Sequence, residues 1–247
     1  MQSYLKSLKI WVFTIFLLTF RVFSMELTVI ITAGGIGKRM NSSIPKQFLL
    51  LRNRPLLMHT IDLFHKFDPQ AQIIITLPSD WWKHWSLLCK KYDFRVPITL
   101  IKGGIERYDS IKNALPKAKG EIIAVHDGVR PLASFATIEQ AILLARQKGS
   151  GIPVLPLKES IRKGDVHLNS AQNRNDFFTV QTPQCFKSAI LKKAYEQNFS
   201  ASITDDASLV EQSGSPIFLT EGNEENIKIT TPFDLQIAEF YLKNTSS

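Results

Sequence analysis

The sequence predicts an α/β fold: a mainly parallel twisted sheet with helices on both faces and a protruding arm. From residue 27 onwards, short apolar runs alternate with helical patterns, and one polar stretch, residues 158–176, interrupts this order. The apolar runs are continuous, which is typical of strands buried on both faces. Regular strand–helix alternation indicates parallel pairing, with ligands bound at the carboxyl ends of the strands.

Five apolar runs are the predicted strands, and seven segments have helical patterns. The strands are residues 27–32, 72–77, 98–101, 122–125 and 152–155, and the helices are residues 55–67, 79–92, 107–117, 134–148, 187–199, 205–213 and 232–243. Pro55 suits a first helical turn, where its missing N–H is not needed. Residues 157–177 are polar, contain Gly and Asn, and lack a helical period, so they predict the arm.

Composition excludes several classes of protein. The 247 residues are 44% hydrophobic and 21% charged, which is ordinary for a globular chain and unlike a disordered or fibrous one. Cys89 and Cys185 show no metal-binding spacing, which argues against a disulfide framework or a zinc cluster. The net charge of +8 suits a polyanionic ligand such as a nucleotide, while no basic run or RNA-binding motif indicates nucleic acid.

The first 24 residues differ from the rest of the chain. Residues 10–20 form an apolar run of eleven residues after Lys6 and Lys9. A membrane span needs about 20 residues, whereas the hydrophobic region of a signal peptide has this length. Met25 opens an apolar strand pattern at once. We therefore expect residues 1–24 to be a start-site extension, with a signal peptide or anchor and an integral fold element as alternatives. Residues 25–247 are expected to form a cytoplasmic domain without stable membrane insertion.

The strongest local signal is ITAGGIGKRMNSSIPKQF, residues 31–48, in which a predicted strand ends in a glycine-rich loop followed by cations. Glycines let backbone N–H groups approach an anion closely, and cations neutralise charge that develops on phosphorus. The spacing fits neither a dinucleotide fingerprint nor a P-loop. On this segment alone, a plain strand-to-helix turn with solvated cations stays an alternative.

Six blocks of the sequence carry a recognisable pattern: AGGIGKRM with IPKQF, GGIERYDSI (103–111), HDGVRP (126–131), RNDFFTVQTPQCF (174–186), TDDASLVE (204–211) and NIKITTPFDLQIAEFYL (226–242). In sequence and in order they resemble the blocks of the 2-C-methyl-D-erythritol 4-phosphate cytidylyltransferases, which have a Rossmann-like nucleotidyltransferase fold. The resemblance implies transfer of a cytidylyl group from CTP to 2-C-methyl-D-erythritol 4-phosphate, with release of pyrophosphate, in non-mevalonate isoprenoid biosynthesis. Another acceptor, such as ribitol 5-phosphate, is the alternative.

The resemblance also implies roles for individual residues. Arg39 and Lys46 would stabilise the transition state, and the nucleotide would be bound by Ala33, Gly34, Gly35, Gly37, Gly104 and Ser110. The acceptor would be bound by Asp127, Arg130, Ser160, Arg174, Thr182 and Lys228. Asp127 would also hold Mg²⁺, a hard cation that prefers oxygen ligands. Ser160 and Arg174 would reach the site of a neighbouring subunit, so a homodimer with composite active sites is expected.

Some features depart from the family pattern or allow another interpretation. Ile105 stands where the family is often acidic, which makes a side-chain role there doubtful, and Ser160 replaces a threonine but keeps the hydroxyl. Asp127 and Arg130 could form only a structural ion pair. A nucleotide-binding or membrane-tethered regulatory protein without catalysis is a rival from another class, and a nucleic-acid-binding module is a more distant one. The intact Lys46 and Lys228 argue against loss of catalysis.

Overall fold

The computed structural model describes residues 27–35, 44–200 and 203–244. The predicted extension at residues 1–24 lies outside the described residues. The described strands are β1 (Leu27–Thr32), β2 (Leu50–Leu51), β3 (Arg54–Pro55), β4 (Gln72–Leu77), β5 (Thr99–Lys102), β6 (Ile122–Asp127), β7 (Ser150–Pro156), β8 (Ile161–Gly164), β9 (Asn169–Gln172), β10 (Phe178–Val180), β11 (Gln184–Lys187) and β12 (Leu219–Glu221). The described α-helices are α1 (Leu56–Phe67), α2 (Trp82–Lys91), α3 (Arg107–Ala114), α4 (Phe135–Lys148), α5 (Ser188–Ala194), α6 (Asp206–Gln212) and α7 (Pro232–Asn244).

The central sheet confirms the predicted fold class. In the described part of the chain it has eight strands in the order β10-β7-β11-β6-β1-β4-β5, with β12 paired to β7. Strands β6, β1, β4 and β5 run parallel. β11 lies antiparallel between β6 and β7, and β10 pairs antiparallel with β7. The sheet is therefore mixed, with its parallel half on the side of the glycine-rich loop.

Apolar side chains pack on both faces of the sheet, as the continuous runs predict. Val29 and Ile31 of β1 face a cluster that includes α1 and α4, while Ile30 faces a second cluster that includes α3, α5 and α6. All three β1 side chains are fully buried. Fully burying one such side chain contributes about 1.5–3 kcal/mol, so β1 is a stable base for the loop that follows it.

Local sequence determines where the helices begin and end. Ser134 caps α4 by accepting a hydrogen bond from the Thr137 N–H, and Gly149 ends the helix with a φ of 104°. The predicted helix at 79–92 instead opens with a 3₁₀ turn, Ser79–Trp81, before α2. The predicted helix at 187–199 was too long: α5 stops at Ala194, and the next residues form a turn.

The predicted arm carries the β8–β9 hairpin. Ile161 pairs with Gln172 and Gly164 with Asn169. Most of its residues are exposed, and Val166 and Leu168 are 89% and 82% exposed at its tip. None of the described helices combines the length and the apolar character needed to cross a membrane.

Candidate active site

A cleft of about 320 Å³ opens at the carboxyl ends of β1, β5 and β6. This is the edge at which parallel α/β sheets present their ligands. β1 and β6 are paired so that Thr32 lies beside Asp127, which brings the glycine-rich loop and the HDGVRP block together. Eight residues predicted for the site line this cleft: Ala33, Gly34, Gly35, Lys46, Gly104, Ser110, Asp127 and Lys228. Gly37 and Arg39 lie outside the described residues.

One wall of the cleft is the start of the glycine-rich loop together with residues 45–47. The Ala33 N–H donates to the Thr76 carbonyl at 2.9 Å, so the loop begins in register with the sheet. The Ala33 carbonyl accepts a hydrogen bond from the buried Gln47 Nε2 at 2.6 Å. A Cβ at Gly35 would lie 3.5 Å from Lys46 Cε, so the lysine stem packs against the glycine backbone. Gln47 therefore ties Lys46 to the end of β1.

The opposite wall is the turn between β5 and α3. The Gly104 N–H donates to Ser110 Oγ at 3.0 Å, and that hydroxyl donates to the Glu106 carbonyl at 3.1 Å. Glu106 and Asp109 form a capping box at the start of α3. A Cβ at Gly104 would lie 2.1 Å from Asp109 Cβ, so only glycine fits there. Ile105 is 97% exposed at the mouth of the cleft.

Asp127 is the centre of charge on the cleft floor. Its Oδ2 lies 3.0 Å from Lys228 Nζ and 3.3 Å from Arg130 Nε, and its Oδ1 lies 3.9 Å from Arg107 Nε. Burial alone would raise the pKa of Asp127, yet the cations, led by Arg107 and Lys228, hold it well below its ordinary range. Asp127 is therefore ionised at neutral pH. It forms an ion pair with Arg130 whether or not it also binds a ligand.

Thr182 and His126 hold Asp127 from behind. The Asp127 N–H donates to Thr182 Oγ1 at 3.1 Å, and Thr182 Oγ1 lies 3.1 Å from His126 Nδ1. His126 Nε2 lies 2.8 Å from the Arg130 carbonyl. A neutral ring with its proton on Nε2 satisfies all three contacts, and burial lowers the pKa of His126 to about 4. Thr182 and Arg130 thus lie behind Asp127 rather than on the cleft surface.

The donor set fits a Mg²⁺ ion that is bound mainly through a ligand's phosphates. No group of three or more His, Cys, Asp or Glu side chains in the described ranges could hold a metal by itself. Mg²⁺ in phosphate sites takes one or two carboxylates and keeps several waters. Asp127 is such a carboxylate, but three cations already balance it. A triphosphate would supply the negative charge that a divalent ion needs here.

Ser160 and Arg174 lie on the arm, outside the residues that line the cleft. Both are exposed. Arg174 Nη1 donates to the Lys158 carbonyl, and Lys158 Nζ pairs with Glu224 Oε1 at 2.5 Å. Within one chain, therefore, the structure does not bring these two residues to the other predicted site residues.

Several residues in or under the cleft carry no predicted role, and among them are Gln47, Arg107 and Asp206. Gln47 adjoins Lys46 in the PKQF motif, and this adjacency to a predicted site cation is the signal that the sequence carries. Arg107 opens α3 inside the GGIERYDSI block, and Asp206 lies in the TDDASLVE block. Their pairing at 2.6 Å joins positions 99 residues apart, so only the fold reveals it.

Comparison with known proteins agrees with this geometry. The family model described as 2-C-methyl-D-erythritol 4-phosphate cytidylyltransferase matches residues 27–244. The enzyme of that name from Bacteroides thetaiotaomicron is 46% identical over 220 residues, covering 88% of this chain and 100% of its own. The one from Bacteroides fragilis is 44% identical over 216 residues, covering 87% and 99%.

Solved structures of the same family also match this chain. The crystal structure of 2-C-methyl-D-erythritol 4-phosphate cytidylyltransferase from Thermus thermophilus matches with a TM-score of 0.71 and 29% identity, covering 89% of this chain and 100% of its own. The 4-diphosphocytidyl-2C-methyl-D-erythritol synthase from Anaerococcus prevotii gives a TM-score of 0.75 at 26% identity, covering 89% and 99%. The chain is a nucleotidyltransferase and belongs to the 2-C-methyl-D-erythritol 4-phosphate cytidylyltransferase family.

Proposed function

We propose that this cleft transfers the cytidylyl group of CTP to 2-C-methyl-D-erythritol 4-phosphate, yielding 4-diphosphocytidyl-2-C-methyl-D-erythritol and pyrophosphate for isoprenoid biosynthesis. The observation that carries the proposal is the meeting of the glycine-rich loop, Lys46, Ser110, Asp127 and Lys228 around one cleft. A phosphate oxygen of the acceptor attacks the α-phosphorus of CTP. The bond from that phosphorus to the bridging oxygen breaks, and pyrophosphate leaves.

The space between Ala33 on one wall and Gly104 with Ser110 on the opposite wall suits the cytosine. The atoms that line it are backbone groups and one small hydroxyl, and Gly104 leaves no room for a side chain. A pocket made of backbone groups and small side chains would favour a single pyrimidine ring over the larger purine. The exposed Ile105 offers an apolar surface at the mouth of the cleft and no hydrogen bond.

Lys46 supplies positive charge where the transferring phosphoryl group becomes most crowded. Its stem packs on Gly35, so the ammonium lies at the end of β1 beside the loop that would cradle the phosphates. Arg39, which the sequence places on the same loop, is proposed to act with it. In phosphoryl transfer, such fixed charges and the in-line positioning of reactants supply most of the catalysis.

Asp127 and Lys228 form the acceptor side of the cleft, while Arg130 pairs with Asp127 from behind and Thr182 accepts the Asp127 N–H. Lys228 is 45% exposed, so its ammonium can bind an incoming phosphate while Asp127 accepts hydrogen bonds from polyol hydroxyls. Mg²⁺ held by Asp127 and the triphosphate would neutralise phosphate charge and favour departure of pyrophosphate.

The arm is proposed to complete the site of a second subunit in a homodimer. Ser160 and Arg174 are exposed and lie outside the cleft of their own chain, as this arrangement requires. The hairpin has almost no core of its own, and a two-fold contact would bury it. Each site would then combine the cleft of one subunit with the arm of the other.

The decisive assay supplies CTP, Mg²⁺ and a panel of polyol phosphates and measures pyrophosphate release. We expect the largest kcat/KM with 2-C-methyl-D-erythritol 4-phosphate. A larger kcat/KM with ribitol 5-phosphate would overturn the acceptor assignment while leaving cytidylyl transfer intact. No pyrophosphate release with any acceptor would overturn the reaction itself.

A further inference from the structure

A buried carboxylate lies directly beneath the cleft, in the TDDASLVE block. Asp206, the first residue of α6, has a side chain that is 0% exposed. Its Oδ1 accepts a hydrogen bond from the Tyr195 hydroxyl at 2.6 Å, and its Oδ2 accepts one from Arg107 Nη2 at 2.6 Å. Both carboxylate oxygens are thus bound, and Asp206 itself does not line the cleft.

Arg107 connects this buried carboxylate with the cleft floor. It is the first residue of α3, it lines the cleft, and its side chain is 30% exposed. While Nη2 binds Asp206, Nε of the same guanidinium lies 3.9 Å from Asp127 Oδ1. The guanidinium is a rigid planar fork, so fixing one nitrogen restricts the direction of the others. Asp206 therefore determines where Arg107 stands beside Asp127.

The arrangement around Asp127 is two-sided. Lys228 and Arg130 approach its Oδ2, whereas Arg107 is the cation that approaches Oδ1 among the described residues. With Arg107 removed, the carboxylate would be pulled only from the Oδ2 side and would turn towards Lys228. A counter-ion for Asp206 alone would not need to lie 3.9 Å from Asp127, so pairing with Asp206 does not by itself account for this second approach.

We propose that Arg107 is a positioning residue that orients the Asp127 carboxylate for the acceptor, and that the buried Asp206 anchors it. This inference rests on the proposed acceptor role of Asp127. Asp206 then acts on the reaction through two side chains without touching either substrate. The same geometry gives a function to the TDDASLVE block, none of whose residues lines the cleft.

The test measures kcat and the two KM values for Asp206→Asn, Arg107→Lys, Asp127→Asn and the double variant Asp206→Asn with Asp127→Asn. Asparagine at 206 can still accept the Tyr195 hydroxyl, which limits the structural damage, and thermal unfolding checks folding. Glu211→Gln is the matched control, because Glu211 is an exposed residue of α6, the helix that begins with Asp206.

We expect Asp206→Asn to raise KM for the acceptor about tenfold while KM for CTP stays within about twofold, because contacting groups couple by up to about a hundredfold. Arg107→Lys should behave similarly, since an ammonium cannot hold both carboxylates. In the Asp127→Asn background, Asp206→Asn should add less than about twofold, because its route of action is gone.

Four results would overturn the inference. The first is an acceptor KM that stays unchanged in Asp206→Asn although Asp127→Asn raises it, and the second is an equal rise of the acceptor KM and the CTP KM in Asp206→Asn. The third is a double variant whose acceptor KM rises by the full product of the two single effects. The fourth is a Glu211→Gln variant whose acceptor KM rises as much as that of Asp206→Asn. If Asp127→Asn itself leaves the acceptor KM unchanged, the proposed acceptor role of Asp127 fails first, and the inference fails with it.

Discussion

Replacing Gly104 with alanine tests how the nucleotide wall is built. The added Cβ would lie 2.1 Å from Asp109 Cβ and 3.0 Å from the Asp109 carbonyl carbon, and real Cβ atoms essentially never approach below 3.0 Å. Asp109 cannot give way freely, because its carboxylate accepts the Glu106 N–H at 3.0 Å in the capping box of α3. The first turn of α3 must therefore move, and Ser110 moves with it.

The magnitude follows from two separate costs. Overpacking a tight site destabilises a protein by about 1–3 kcal/mol. Losing a helix cap costs about 0.5–2 kcal/mol more. We expect Gly104→Ala to lower the free energy of unfolding by about 2–4 kcal/mol, which lowers Tm by roughly 5–15 °C for a chain of this size. Because Ser110 Oγ loses the Gly104 N–H, KM for CTP should rise about tenfold.

Thermal unfolding and steady-state pyrophosphate release measure the two effects. Gly34→Ala is the matched control for stability, because a Cβ there would meet only Ser110 Oγ at 3.8 Å, an ordinary contact. Its Tm should stay within about 2 °C of the parent value. A Gly104→Ala protein with parental Tm and parental KM for CTP would refute this account of the wall.

Three further predictions concern catalysis, pH and assembly. Lys46→Ala should lower kcat about 100–1,000-fold with little change in Tm, as removal of a transition-state contact does; an unchanged kcat would disprove its role. Burial lowers the pKa of His126 to about 4, so the contribution of this residue to stability should be complete above pH 6.5 in the ligand-free protein. Between pH 6.5 and pH 4 the free energy of unfolding should fall by about 3 kcal/mol. Denaturant titrations should show that the free energy of unfolding of His126→Gln depends less on pH over that range. Mixing inactive Arg39→Ala and Arg174→Ala chains should restore activity once the subunits exchange, because one of the two sites in each mixed dimer then contains neither substitution. Subunit exchange that is shown to occur without a return of activity would contradict composite sites.

The parallel half of the sheet could be predicted closely from sequence. β1 and β4 have the predicted bounds, because strands buried on both faces are continuous apolar runs with no competing pattern. β11 was missed: it begins at Gln184, ends at Lys187 and joins the sheet antiparallel, so neither its composition nor the alternation indicates it. β10 and β12 have three residues each and are mostly exposed, so they are too short to show a strand period in the sequence.

Some residues of the candidate site could be predicted from the sequence, and others could not. Glycines and cations next to a strand end have a chemical meaning that sequence alone carries, and Gly34, Lys46 and Asp127 do line one cleft. Arg107 and Asp206 gain their meaning only from a contact across 99 residues. A charged side chain at a helix start is ordinarily solvated, so nothing local distinguishes these two from surface residues.

Lys228 shows why the C-terminal segment belongs to the site. The Ile229 N–H donates to the Val129 carbonyl at 3.0 Å, which lays residues 226–230 across the end of β6. Just beyond, Asp234 accepts hydrogen bonds from the Thr230 and Thr231 N–H groups, each at 2.8 Å, at the turn into α7. Ile229 is fully buried in a cluster with residues of α1 and α7. Lys228 is therefore held beside Asp127 by the packing of α7, a helix that does not line the cleft. Loosening α7 should weaken acceptor binding before it unfolds the sheet.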